Sequence, residues 1–261
     1  MSDTRNPERT TSPRPILVAA VCGVVVGLAV YLVGLPSSLT VFDVKAADLT
    51  VYLALFLAIG TTTVVATALS GSRWRVVDIV VASVLGVAGG LLFTVWNAVA
   101  WEPISGALAF FPPASAVATG LWLLPGVLGG LIVRRPGAAV YTELLAALIS
   151  AYFGNQWGFA TVWYGLLEGL GVEVVFAVLL YRAFGMPAAL AAGAGGGLTL
   201  GILDSLVYFP TFSALYKIVY ILLAMLSATV IAGLGGWALT RALAATGALA
   251  PLPSGRVAER V

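Results

Sequence analysis

Residues 152–173 read YFGNQWGFATVWYGLLEGLGVE. Two tryptophans, an Asn-Gln pair and two glutamates stand in a stretch otherwise apolar enough to lie inside a bilayer. Either the carboxylates are paired off within the fold, or they line something that needs them.

The remainder of the chain sets the environment. Of 261 residues, 61% are hydrophobic and only 9% charged, and the mean hydropathy is +1.05. A soluble domain carries roughly a quarter charged residues, so the composition is that of an all-α integral membrane protein. Histidine is absent, which removes imidazole metal ligands and every His-dependent triad. Cys22 is the single cysteine, so neither an internal disulfide nor a thiolate cluster can form. A net charge of +2 gives no reason to expect a nucleic-acid partner.

Uncharged runs define eight expected transmembrane helices: Ile16–Leu35, Leu49–Ser70, Ile79–Ala100, Ala114–Val133, Ala138–Gly154, Gly158–Tyr181, Met186–Tyr208 and Ser213–Thr240. About 20 apolar residues span a bilayer, and the first run meets that length, so it reads as a retained helix rather than a signal peptide. Pro112-Pro113, Arg134-Arg135-Pro136-Gly137, Gly185-Met186-Pro187 and Phe209-Pro210 punctuate the junctions. Pro125-Gly126 falls inside the fourth run and predicts a kink or short break.

Orientation follows from the basic residues. With both termini in the cytoplasm, Arg5, Arg9, Arg14, Arg73, Arg75, Arg134, Arg135, Arg182, Arg241, Arg256 and Arg260 all fall on that side. Only Lys45 and Lys217 fall outside, a strong positive-inside bias. The expected division is a polar arm with a two-helix extension at 1–72, a six-helix core at 73–246, and a cytoplasmic tail at 247–261.

Polar and aromatic side chains gather at the outer helix ends: Trp96, Asn97, Trp101 and Glu102, then Asn155, Gln156 and Trp157, then Asp204, Tyr208, Tyr216 and Lys217. An aromatic belt accounts for single rings at an interface, but not for Asn97, Glu102, Asn155 and Gln156 on one side. Glu168 lies about ten residues deep, roughly 15 Å at helical rise. An ionisable group there is a functional candidate by default. At about 100° per residue, Trp157, Tyr164 and Glu168 share a face within roughly 40°. Glu173 points nearly the opposite way. Glu143 and Glu173 either serve a site or bend toward the cytoplasmic arginines, and Asp204 has Lys217 as a possible neutralising partner. Asp78 and Asp204 lie at opposite ends of their helices, which argues against a carboxylate dyad of an intramembrane hydrolase. A proton-coupled carrier built on Glu143, Glu168 and Glu173 remains an alternative.

Small residues form a second pattern. Ala82, Gly86 and Gly90 recur every four residues, the spacing that lets another helix approach closely. They are either a partner-docking face or internal packing. Gly165 with Gly169, and Gly193 with Gly197, repeat the spacing and read as internal packing.

The segments WRVVDIV, RRPGAAVYTELLAAL, GNQWG and YGLLEGLGVEVVFAVLLYRAF, with the Ala/Gly-rich helix that follows, resemble the YkoE family. These are substrate-binding (S) components of energy-coupling-factor (ECF) vitamin transporters. The similarity covers Trp74 to about Thr246; the first two helices lie outside it and depart from the family's six spans. The resemblance implies a multi-pass subunit of a prokaryotic plasma membrane that captures thiamine or its hydroxymethylpyrimidine precursor near the outer face. It implies a transmembrane coupling (T) protein and cytoplasmic ATPase subunits as partners, and no cofactor. The chain lacks a G-x-x-x-x-G-K-[ST] phosphate loop, which fits a subunit that leaves ATP hydrolysis to others. The expected ligand contacts are Trp96, Asn97, Trp101, Glu102, Glu143, Asn155, Gln156, Trp157, Tyr164 and Glu168. By placement, Ala82, Gly86 and Gly90 are the expected docking face.

Overall fold

The computed structural model describes residues 73–255, together with isolated positions at 21, 25, 28, 40, 41, 44 and 45. The expected helices Ile16–Leu35 and Leu49–Ser70 therefore fall outside the described residues but for three positions of the first. Apart from a two-residue antiparallel pairing of Thr40–Val41 (β1) with Val44–Lys45 (β2), every described element is helical.

Helix α1, Val76–Trp96, runs through a π-turn at Asn97–Trp101 into the short α2, Glu102–Ala107. A 3₁₀ helix, Pro112–Leu123, leads into α3, Leu124–Val133. Then come α4 (Ala138–Phe153), α5 (Ala160–Val178) and α6 (Met186–Val207). The last rod is α7 (Ala214–Ala228), a π-turn at Thr229–Leu234, and α8 (Gly235–Ala245). Five helical stretches among the described residues are long and apolar enough to cross a membrane: Val76–Ala107, Pro112–Val133, Ala160–Val178, Met186–Val207 and Ala214–Ala245. The sixth, α4, is apolar but has 16 residues, about 24 Å at helical rise.

The expected break at Pro125-Gly126 takes the form of a change in helix type. The chain switches from 3₁₀ to α at Leu124, so Pro125 sits in the first turn of α3, where its missing N–H leaves no bond unmade. Gly137 and Gly154, both at φ +85°, bracket α4 in conformations that only glycine adopts freely.

Close backbone approach holds the bundle together. A Cβ added at Gly86 would come within 2.9 Å of the Leu145 side chain, and one at Gly90 within 2.7 Å of the Ala146 carbonyl. Ala82 is fully buried beside Val133 and Ala138. The Ala82, Gly86, Gly90 face thus packs α1 against α4 inside the fold, which corrects its reading as a surface free to dock a partner. Small residues bring helices together wherever lipid offers no hydrophobic drive, and here the bundle itself uses that closeness. Gly165 meets Ala147 of α4, Gly169 meets Val140, and Gly197 meets the Ala224 carbonyl of α7. The main core gathers Leu123, Val127, Leu131, Val172, Phe176, Leu200 and Tyr220.

At the arginine-bearing end, Asp78 is fully buried and accepts from Arg75 Nη2 at 2.7 Å and from Arg135 Nε at 3.1 Å. The hydrogen bond to Asp78 raises the Arg75 guanidinium above its ordinary value. Glu173 accepts from the backbone N–H groups of Gly137 (2.7 Å) and Ala139 (2.9 Å) and from the Tyr181 hydroxyl (2.7 Å). It therefore caps the N-terminus of α4, where the helix dipole favours an anion. The first part of the expected tail, up to Gly255, packs on the bundle. Leu249 and Leu252 are buried with Leu128 and Ile132, and Ser254 Oγ donates to the Ile132 carbonyl at 2.9 Å. Two leucines three residues apart in an Arg-poor segment were the available signal.

Candidate functional site

Helical periodicity aims one face of α5 inward: Thr161, Tyr164, Gly165 and Glu168 follow the i, i+3, i+4, i+7 pattern. Facing it, Phe93 of α1 and Asn97, which opens the π-turn, lie one turn apart, as do Asp204 of α6 and Tyr208, which caps it. Between these helices is a cavity of about 350 Å³, in the half of the bundle away from the arginines and reaching inward to Glu143. Trp101, Trp122, Trp157, Phe209, Tyr220, Ala147 and Leu200 complete its walls.

Three tryptophans from separate elements meet at this cavity. Trp101 closes the π-turn, Trp122 is the penultimate residue of the 3₁₀ helix, and Trp157 precedes α5. Their ring centroids are 4.6 Å apart for Trp101–Trp122, 5.3 Å for Trp122–Trp157 and 6.0 Å for Trp101–Trp157. A polar relay fixes them. Trp122 Nε1 donates to Asn97 Oδ1 at 2.9 Å, and Asn97 Nδ2 donates to Ser150 Oγ at 3.4 Å. Asn155 Nδ2 reaches the same hydroxyl at 3.3 Å, while Asn155 Oδ1 accepts from Trp157 N at 2.9 Å and Thr161 Oγ1 at 3.1 Å. The π-turn at Asn97–Trp101 and the 3₁₀ helix border the cavity, as such departures often border functional sites, whereas the π-turn at Thr229–Leu234 does not.

The three carboxylates in the wall differ in what serves them. Asp204 accepts from the Tyr220 hydroxyl at 2.7 Å and also interacts with Tyr164. Tyr220, rather than the expected Lys217, is its hydroxyl partner from α7. Glu143 is fully buried, and its Oε2 accepts from Gly126 N at 2.7 Å, in the first turn of α3; its Oε1 has no partner. It thus faces the cavity and α3, not the arginines. Glu168 is 5% exposed and has no hydrogen-bond partner among the described residues. No lysine or arginine lines the cavity among the described residues.

Of the expected contacts, Asn97, Trp101, Glu143, Trp157, Tyr164 and Glu168 line the cavity. Trp96, Glu102, Asn155 and Gln156 do not. Asn155 acts one step back, holding Trp157 and Thr161. Gln156 Nε2 donates to Glu102 Oε1 at 3.1 Å on the exposed surface, tying the α4–α5 connection to α2. Trp96 is half-buried beside that wall, and its Nε1 lacks a partner. Sequence reasoning did not place Phe93, Trp122, Asp204, Tyr208, Phe209 or Tyr220 in the wall. Asp204 and Tyr208 carried a signal in their i, i+4 spacing, which a helix turns to one face.

An aromatic, carboxylate-bearing cavity within a bundle of apolar helices fits a membrane-embedded substrate-binding subunit of a transporter. The comparisons agree. The backbone superposes on a crystal structure of an S-component of an ECF transporter with a TM-score of 0.68, at 28% sequence identity, covering 72% of this chain and 94% of that one. The curated YkoE of Bacillus subtilis (strain 168), named as an HMP/thiamine permease protein, is 32% identical over 195 residues, which are 70% of this chain and 91% of the relative. A family model described as the permease component of an ABC-type cobalt transport system matches residues 77–199. The chain belongs to the YkoE family of ECF S components, multi-pass proteins of the cell membrane.

Proposed function

We propose that this S component captures thiamine, or its hydroxymethylpyrimidine precursor, in the cavity for ATP-driven import through a T protein and cytoplasmic ATPase subunits. The single observation that carries the ligand is the wall itself: three carboxylates, eight aromatic rings and no basic residue among the described lining residues. Thiamine brings a permanent thiazolium cation, which aromatic faces attract and a desolvated carboxylate balances. Its aminopyrimidine offers donors and acceptors to Asn97, Glu143 and Thr161. An organic cation uses the rings as well as the charges, whereas a bare metal ion would leave the rings idle. The relative's name points to the same ligand pair.

Loading occurs from the outside in this reading. The positive-inside distribution supports an arginine-bearing end in the cytoplasm with both termini, and in that orientation the tryptophan-lined half of the cavity faces outward. Residues 1–72 form a two-helix extension and residues 73–246 the binding core, which gives eight spanning helices in all. Trp96, Glu102, Asn155 and Gln156 support the mouth from outside the wall.

Calorimetry on the detergent-solubilised full-length chain tests the ligand. Thiamine or hydroxymethylpyrimidine should bind, and riboflavin and biotin should not compete. Absence of heat with both thiamine compounds overturns the reading. Purification from the native host should bring a T protein and ATPases with the chain.

A further inference from the structure

Glu168 stands apart from the other two carboxylates of the cavity. Asp204 accepts from the Tyr220 hydroxyl and Glu143 from the Gly126 N–H, so donors already serve those anions. Glu168 has no such donor among the described residues and is 95% shielded, in a wall of aromatic rings. The titratable groups facing it are Glu143 from α4, Tyr164 on its own helix, Asp204 from α6 with Tyr208 at that helix's C-cap, and Tyr220 from α7. Nothing in that set is a cation. Aromatic faces are negative, and burying an unpaired anion costs far more than burying the neutral acid. Burial with no donor and no cation beside it therefore favours the acid form of this side chain.

We propose that Glu168 exchanges a proton for the ligand's charge. When a permanently cationic ligand enters, the Glu168 carboxyl gives its proton to solvent and its carboxylate balances the cation. The neutral pyrimidine enters without that exchange. Atoms and charge balance: one cation enters, one proton leaves, and the cavity's net charge stays the same. The proton returns when the cation departs, so Glu168 makes the loaded and empty forms electrically alike. This rests on the thiamine-group ligand proposed above, and deepens it by stating what the ligand's charge displaces.

The test is calorimetry of the full-length chain at pH 7 in buffers of differing ionisation enthalpy, with thiamine and with hydroxymethylpyrimidine. The slope of observed heat against buffer enthalpy counts protons. We expect about one released per thiamine and none per pyrimidine, and thiamine affinity that strengthens up to about tenfold per pH unit while the exchange operates. Glu168→Gln, titrated at concentrations high enough to saturate it, should lose the thiamine slope, whereas Gly106→Ala, which lies outside the cavity wall, should keep it. Thiamine binding with zero slope overturns the exchange and leaves the ligand reading standing. An unchanged slope in Glu168→Gln overturns the assignment to this residue. Binding of neither compound overturns the ligand reading itself.

Discussion

The backbone N–H of Gly126 donates to Glu143 Oε2 at 2.7 Å, joining the first turn of α3 to the middle of α4 beneath the cavity. Glycine is needed there for a second reason, since a Cβ at that position would come within 2.8 Å of the same oxygen. Glu143→Ala should strand the buried N–H and cost about 1–3 kcal/mol. Glu143→Gln keeps an acceptor at that position and should cost much less. Thermal unfolding in detergent reads both; equal losses would show that the charge, not the bond, is what α3 requires.

Ligand binding should quench tryptophan fluorescence through Trp101, Trp122 and Trp157, whose rings share the cavity wall. Replacing any of these by Phe should reduce the ligand-induced change. Trp74→Phe and Trp163→Phe should leave it intact, because Trp74 is tied to the Pro136 carbonyl at the far end and Trp163 faces outward. A quench that survives all three cavity replacements would place the ligand elsewhere.

The α1–α4 contact predicts what bulk does to it. Leu at both Ala82 and Gly86 forces side chains into Leu145, Val133 and Ala138, and overpacking of this kind typically costs about 1–3 kcal/mol per site. Stability and ligand binding should fall together. Gly106→Ala is the control, because a Cβ there meets nothing within 4 Å. A double variant that binds normally yet fails to co-purify a T protein would restore these residues to a docking role.

Leu252→Ala should cost about 2–5 kcal/mol, the usual range for emptying a buried leucine site, since Leu252 is fully buried against Leu128 and Ile132. Ligand affinity below the unfolding transition should stay unchanged, because no residue of this segment lines the cavity. A loss of affinity without loss of stability would contradict that separation.

The helices were legible because lipid imposes one requirement on every residue of a span, and six of the expected runs coincide with described helical rods to within a few residues, apart from the ends of α1. Part of the wall was legible for a similar reason: Glu168 and Tyr164 are costly in lipid unless they face inward. Trp122, Phe93 and Phe209 were not, because an aromatic side chain is equally at home in core, lipid or cavity. Only tertiary contact tells these apart. The docking face failed on the same ground. A small-residue stripe specifies close approach but not whose helix approaches, and α4 lies far along the chain from α1.

Deleting residues 1–72 should leave ligand binding intact. Every described residue of the cavity wall lies between Phe93 and Tyr220, so the extension is not needed to complete the constellation of rings and carboxylates. If residues 1–72 carry the two expected spans, the deletion removes an even number and keeps the new N-terminus on its expected side, which the arginines of the core also favour. The face of α1 turned away from α4 carries Val76, Val80, Val84 and Val95, all exposed among the described residues. An apolar helix face is satisfied by lipid as well as by another helix, so exposing it to a bilayer adds little cost. The truncated chain, starting at Arg73 behind a new methionine, should therefore bind thiamine with an affinity within about threefold of the full chain. Calorimetry in nanodiscs is the suitable measurement, because detergent alone can destabilise a shortened membrane protein. A truncated protein that is folded by circular dichroism but binds nothing would make the extension part of the site.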